Sequence, residues 1–145
     1  SARIIHLVRE PMDTCWSNLR ELFSGNNAAA SYSQPELARH CLRHHALMQH
    51  WHRTLPCFVL DVPYEALVRD PITWSQRLYQ FCGLDWKPEV IQIDKRTGPV
   101  RTASVAQVRQ PIHTRSLQRW RPYENHLITL LSALSATPAQ PINAD

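Results

Sequence analysis

A short apolar run that leads into Arg9 and Pro11 constrains the fold of this chain more than any other feature. Residues 4–8 (IIHLV) are apolar or β-branched without clean alternation, which is typical of a strand covered on both faces in a parallel sheet. Pro11 and Asp13 are helix-start signals, and apolar residues then recur at helical spacing. The sequence therefore predicts a strand followed at once by a helix from about Pro11 to Phe23.

The next eighty residues alternate helical and strand patterns. A long amphipathic helix is predicted from Pro35, and a second apolar strand from Cys57 to Val62. A helical turn begins at Tyr64, and a third helix covers Pro71 to Cys82, where Gly83 should end it. Strands that alternate with helices favour an α/β layered fold.

The remaining segments have weaker patterns. Residues 24–33 and 94–114 are interpreted as loops, and Ser116 is expected to cap a last helix that Pro122 kinks or divides. Residues 136–145 form a polar, proline-containing tail that we expect to be disordered. Residues 1–135 then constitute one domain or part of one, as expected for a 145-residue chain.

The charge and cysteine patterns restrict the class of protein. The 16 basic residues exceed the 12 acidic ones by four, and all but Lys87 and Lys95 are arginines, which suit planar oxyanions. This excess is mild and contains no basic run, so nucleic acid is not the expected partner. The four cysteines lack Cys-x-x-Cys spacing and a secretory leader, and no apolar run reaches the roughly 18 residues of a membrane helix. We therefore expect reduced thiols, no membrane contact and a cytoplasmic location.

The corner between the first strand and helix is the best candidate for a binding site. Ligands collect at the carboxyl ends of strands in open α/β sheets, where helix N-termini offer unpaired N–H groups, and Arg9 stands at that point. Ser17 lies near 140° from Met12 on a helical wheel, outside the apolar stripe. Arg9 and Ser17 can therefore share one anion, although a surface arginine and a solvated serine fit the same pattern.

Four stretches of this sequence resemble motifs of the sulfotransferase superfamily. Residues 4–18 resemble its 3'-phosphate-binding segment, with a strand, Arg, an acidic residue, Pro, and Ser eight residues after the Arg. Residues 60–71, 81–84 and 102–112 resemble its Tyr-Glu-x-Leu, Phe-Cys-Gly-Leu and Thr-x-Ser-x-x-Gln-Val-x-x-Pro motifs. The resemblance covers roughly residues 3–134 and is greatest to bacterial TPR-type sulfotransferases, relatives of the tyrosylprotein sulfotransferases.

The resemblance implies roles for individual residues. It assigns Arg9 and Ser17 to the 3'-phosphate of the co-substrate PAPS (3'-phosphoadenosine 5'-phosphosulfate) and of its product PAP (3',5'-ADP). Tyr64 is implied to contact adenine or ribose, with a plain core tyrosine as the alternative.

A later segment is implied to fold over the cofactor. It carries Ser104, Gln107 and Arg109, each of which can instead be purely structural, and Arg119 stands where the tyrosylprotein relatives have a cofactor-binding lysine. Arg20 is one position away from another arginine of those relatives, so its role stays open.

The resemblance also implies a reaction. The family transfers a sulfuryl group from PAPS to an acceptor, using an N-terminal Gly-rich loop and a Glu or His base. Glycines occur here only at positions 25, 83 and 98, and no initiator Met is present. We therefore expect a P-loop-like three-layer parallel sheet whose N-terminal half is missing, with the catalytic residues upstream of Ser1 and no turnover by this piece alone. The resemblance to TPR-type members implies a TPR region further upstream in the parent protein.

The acceptor and the class of protein stay open. The acceptor can be a peptide, a carbohydrate or a small alcohol, bearing a hydroxyl or an amine. The chain can also be a non-catalytic 3'-phosphonucleotide-binding module or, less in keeping with its charge, a basic nucleic-acid-binding fragment. His40 and His44 have the i, i+4 spacing of metal ligands, but no His-Glu-x-x-His motif and no obvious third ligand accompany them, so no metal is expected.

Overall fold

The computed structural model describes residues 2–23, 26–92 and 112–136. Within them the chain forms two strands, five α-helices and three 3₁₀ segments. In chain order the strands and α-helices are β1 (Ile4–Val8), α1 (Pro11–Arg20), α2 (Gln34–Thr54), β2 (Val59–Pro63), α3 (Tyr64–Arg69), α4 (Pro71–Cys82) and α5 (Ile128–Ser135). The 3₁₀ segments are Asn26–Tyr32, Pro88–Ile91 and Arg121–His126.

Strands β1 and β2 pair in parallel and form the one sheet of the described residues. The register places Ile4 opposite Val59 and Val8 opposite Pro63, so both strands end at the same edge. Within the described residues β1 is covered on one face only, because Ile5 and Leu7 are 48% and 52% exposed. No described element covers the face on which these two side chains lie.

Local signals explain where the helices begin and end. The carboxylate of Glu10 caps α1, Ser33 caps α2 and Asp70 caps α4, each by accepting a backbone N–H of the first turn. Helix α4 ends at Gly83, whose φ of +68° is the left-handed conformation that glycine adopts without strain. The predicted limits of α4 are confirmed.

A small core lies between α1, α2 and α5. Met12 and Cys15 of α1 pack with Leu37 and Ala38 of α2 and with Leu130 of α5, and all five are buried. Trp120 and Leu127 complete the same cluster. The first forty residues and the last described segment are thus joined by a common apolar core.

Four predicted boundaries are corrected. Helix α1 ends at Arg20 rather than Phe23, because the chain turns extended at Glu21 and leaves Leu22 87% exposed. Strand β2 begins at Val59, two residues later than predicted. The segment predicted as a loop from 24 to 33 contains the 3₁₀ turn at 26–32.

The last helix is the fourth correction. Ser116 does not cap it, because residues 115–120 form turns and a 3₁₀ segment containing Pro122 follows before α5 starts at Ile128. The predicted tail at 136–145 lies outside the described residues from 137 onward.

The architecture is therefore mixed α/β with a small parallel sheet and flanking helices, as the alternating pattern predicted. In the described ranges, no helix has both the length and the apolar character that crossing a bilayer would require.

Candidate functional site

The carboxyl ends of β1 and β2 bring two predicted site residues together. Val8 and Pro63 are register partners, so Arg9 and Tyr64, the next residue of each strand, leave the sheet side by side. The Arg9 guanidinium lies over the Tyr64 ring, with 5.1 Å between its carbon and the ring centroid. Two residues that the sequence assigned to the site separately thus form a direct cation–π contact.

Ser116 completes this arrangement from a distant part of the chain. Arg9 Nη2 donates to the Ser116 carbonyl oxygen at 2.8 Å, and the Tyr64 and Ser116 hydroxyls are hydrogen bonded at 2.6 Å. Arg9 Nε is buried and has no hydrogen-bond partner among the described residues. The arginine is therefore held in one orientation while one of its donors remains unused.

The N-terminus of α1 does not offer the unpaired N–H groups that the sequence suggested. The Glu10 carboxylate accepts from the backbone N–H of Met12 at 2.9 Å and of Asp13 at 2.7 Å. The Thr14 N–H is also taken, by the Glu10 carbonyl. Glu65 in turn accepts the Glu10 N–H at 2.9 Å. An anion at this corner must therefore be bound by side chains rather than by the helix terminus.

Asp13 fixes the segment that carries Ser116. Its side chain is buried, and its two carboxylate oxygens accept the backbone N–H groups of Gln118 at 2.6 Å and Arg119 at 2.9 Å. Gln118 has a φ of +56°, a left-handed conformation uncommon for a residue other than glycine. Asp13 thus holds a strained turn against α1 across 105 residues of sequence.

The other predicted residues occupy more open positions. Ser17 is exposed on α1, as its position on the helical wheel predicted, and makes no hydrogen bond to Arg9. The side chain of Arg119 is exposed, while its backbone N–H is bound by Asp13. The guanidinium carbon of Arg20 lies 5.7 Å from the centroid of the Trp16 ring. Ser104, Gln107 and Arg109 lie outside the described residues.

Sequence reasoning missed residues that organise the site. Ser116 was interpreted as a helix cap, and Asp13 and Glu10 only as parts of a helix start and a motif. Local spacing carries no signal for Ser116, since its partners are 52 and 107 residues away. The burial of Asp13 had no local signal either, because it lies about 100° from Met12 on the helical wheel, outside the apolar stripe.

The four cysteines bear on the chemistry of this region. All are free, and Cys15 of α1 is hydrogen bonded to Cys41 of α2. That hydrogen bond lowers the pKa of Cys41 to about 7, although partial burial opposes the shift. The same contact and burial raise the pKa of the Cys15 thiol. Cys41 is therefore the thiol of this pair that ionises first.

Comparison with known proteins now adds to this geometry. The chain matches the sulfotransferase family over residues 1–88. It is 32% identical over 136 residues to an uncharacterized protein of Aquifex aeolicus (strain VF5), an alignment that covers 92% of this chain. The aligned region is 18% of that relative's length, so the chain corresponds to a small part of it.

Proposed function

This chain belongs to the sulfotransferase family, and we propose that it binds the 3'-phosphate and adenine end of PAPS and of its product PAP. We propose further that the protein transfers the sulfuryl group of PAPS to a hydroxyl or amine of an acceptor. Its motifs favour the bacterial TPR-type branch of the family.

The unpaired Nε of Arg9 is the observation that carries the proposal. A buried donor without a partner costs free energy, and a phosphate oxygen would satisfy it with a charge-assisted hydrogen bond. The guanidinium is already fixed by the Tyr64 ring and the Ser116 carbonyl, so little side-chain entropy remains to be lost on binding. The donor set therefore fits a phosphate group.

The remaining residues complete the proposed site. Tyr64 borders Arg9, and its ring supports adenine or ribose next to the phosphate. Ser17 adds a hydroxyl donor from the exposed side of α1, and Arg119 adds a second cation near Ser116. We propose that Ser104, Gln107 and Arg109 close over the nucleotide, as the family motif implies.

The proposed reaction depends mainly on charge stabilisation. PAPS supplies an activated sulfuryl group, and negative charge accumulates on the 5'-phosphate of the nucleotide as that group leaves. Arg9 and its partners hold the nucleotide in place through its 3'-phosphate. The four free cysteines favour a reducing compartment, and we propose a cytoplasmic location.

The exposed side chains of β1 support a finer proposal on the fold. Ile4, Ile5 and Leu7 are all more than 40% exposed, and among the described residues β1 has a neighbouring strand on one side only. We propose that in a longer protein the two strands form part of a P-loop-like parallel sheet with helices on both faces, of which residues 1–135 supply the C-terminal part. Covering these apolar side chains would then be favourable.

Calorimetry with two nucleotides tests the binding site. 3',5'-ADP should bind more tightly than 5'-AMP, and Arg9→Ala should weaken 3',5'-ADP by about 10- to 150-fold, which corresponds to about 1.5–3 kcal/mol for a charged hydrogen bond. The same variant should leave 5'-AMP almost unchanged, because that ligand lacks the 3'-phosphate. Arg77→Ala is the matched control, since Arg77 also lies over an aromatic ring, Trp74, at 5.0 Å on α4.

Two outcomes would count against the proposal. Equal affinities for the two nucleotides would show that the 3'-phosphate is not recognised. An equal loss for both ligands in Arg9→Ala would show that the arginine acts elsewhere.

Transfer is tested separately by incubating the full-length protein with sulfur-labelled PAPS and a panel of peptides, carbohydrates and alcohols. Binding of 3',5'-ADP without labelling of any acceptor would favour the non-catalytic nucleotide-binding module.

A further inference from the structure

Two histidines and one aspartate converge on one face at the middle of the same two strands. His6 of β1 and Asp61 of β2 are register partners, and α2 passes over this face of the sheet. His6 Nδ1 lies 2.7 Å from Asp61 Oδ1, and His52 Nε2 of α2 lies 2.9 Å from the same oxygen. Three separate elements thus place one ligand atom each in a group whose members are within 4.8 Å of one another.

The donor chemistry of this group is that of a transition-metal site. Two imidazole nitrogens and one carboxylate oxygen form the three-ligand set of many zinc sites, which keep a further position for water. A tetrahedral ion with bonds of about 2.0–2.1 Å would hold its ligands about 3.3 Å apart. The two observed N–O separations of 2.7 and 2.9 Å therefore need to widen by only about 0.5 Å when an ion replaces the bridging protons, and the two imidazole nitrogens are within 4.8 Å of each other.

Burial and access also suit an ion. The side chains of His6 and Asp61 are 15% and 24% exposed, while His52 is 38% exposed and leaves a route from solvent. Both imidazoles converge on one carboxylate oxygen, so the three ligand atoms already lie together before an ion is bound. The His44 ring lies 5.2 Å from that of His6, near enough to act as an additional ligand or an outer partner.

We propose that His6, His52 and Asp61 bind a divalent transition-metal ion of the zinc type. The ion would have a structural role, because it would cross-link α2 to both strands. Its ligands His6 and Asp61 lie three residues before Arg9 and Tyr64, respectively. At about 3.3 Å per residue this is about 10 Å from the nucleotide-binding residues. The proposal does not depend on the nucleotide site, because its ligands are distinct. The i, i+4 pair that the sequence suggested, His40 with His44, is not the group that the fold assembles.

Titration of the chelator-treated full-length protein with Co²⁺ and Zn²⁺ tests this site. We expect one ion per chain, a visible absorption band for Co²⁺ typical of four- or five-coordination, and displacement of Co²⁺ by Zn²⁺. His52→Gln, at the most exposed of the three positions, should retain the fold and weaken Co²⁺ by at least about tenfold, because losing a ligand should cost no less than losing an outer partner. His40→Gln is the matched control on the same helix and should bind as the wild type does.

Either of two results would overturn the proposal. One is the absence of stoichiometric binding of either ion to the wild-type protein. The other is binding that His52→Gln leaves unchanged or that His40→Gln weakens equally, since the ion would then occupy another site. Asp61→Asn provides a second variant, which keeps the side-chain volume, removes the anionic ligand and should abolish the Co²⁺ band with the circular dichroism spectrum retained.

Discussion

Replacement of Asp13 by asparagine should destabilise the fold and disorganise the nucleotide site together. The aspartate carboxylate is buried between α1 and residues 118–119, and each of its oxygens accepts one backbone N–H. Asparagine has nearly the same volume but only one acceptor oxygen. Its NH₂ group would face the second N–H, so two donors would meet in a buried position.

The magnitude follows from these two contacts. A hydrogen bond to a charged group contributes about 1.5–3 kcal/mol, and a buried donor left unpaired costs about 1–3 kcal/mol. Because the substitution keeps one neutral hydrogen bond and loses the other, we expect the free energy of unfolding to fall by about 2–4 kcal/mol. For a domain near 150 residues this corresponds to a decrease in Tm of about 5–15 °C.

Urea denaturation followed by circular dichroism measures this loss, and calorimetry with 3',5'-ADP measures its effect on the site. Nucleotide affinity should fall even where the variant is fully folded, because residues 118–119 are no longer tethered next to Ser116, which orients Arg9. Asp85→Asn makes the same chemical change at an exposed aspartate and should alter stability by no more than about 0.5 kcal/mol. The reasoning is refuted if Asp13→Asn and Asp85→Asn have the same stability.

Three further predictions concern single local features. Cys41 should be alkylated by iodoacetamide with an apparent pKa near 7, and Cys15→Ala should raise that pKa by removing the hydrogen bond; site-resolved mass spectrometry that finds no change would contradict it. Hydrogen bonds from the side chain and then the backbone N–H of Thr73 lower the pKa of Asp70 in the folded state. The stability that Asp70 contributes is therefore present above its ordinary pKa near 4 and is lost as pH falls through the lower folded pKa. Asp70→Asn should reduce this loss of stability at acid pH, which denaturation curves at several pH values would measure. Gly83→Ala should cost about 1–2 kcal/mol in urea denaturation, because φ is +68° while the added Cβ meets no atom within 4 Å; a much larger loss would indicate a clash instead.

The features that the sequence predicted well have local causes. Helix α4 was predicted to the residue because Pro71 starts it and Gly83 ends it, and both signals lie within the segment itself. Arg9 and Tyr64 were each predicted to lie directly after an apolar strand, and parallel strands end at one edge, although the contact between the two residues was not predicted. In these places backbone preference and tertiary position agree.

The features that it did not predict depend on contacts between distant residues. Ser116 is a residue type that commonly caps helices, yet it lies in a turn and is hydrogen bonded to Tyr64 and Arg9. His6, Asp61 and His52 have no recognisable spacing, since the first two meet through strand register and the third through helix packing. The exposure of Ile5 and Leu7 was missed because an apolar strand pattern does not indicate whether another element packs on that face of the strand.

The hydrogen bond between Arg9 and Ser116 has a consequence for how the protein is made. Its two residues are 107 positions apart, and the Asp13 tether spans a similar distance. The nucleotide site therefore cannot form on a growing chain until residue 119 has been synthesised and has reached Asp13. Bringing these two parts together is slow, because the chain between them loses conformational entropy before the contacts form. Nucleotide should accordingly bind only the completed domain, and it should protect that domain as a whole against unfolding and proteolysis.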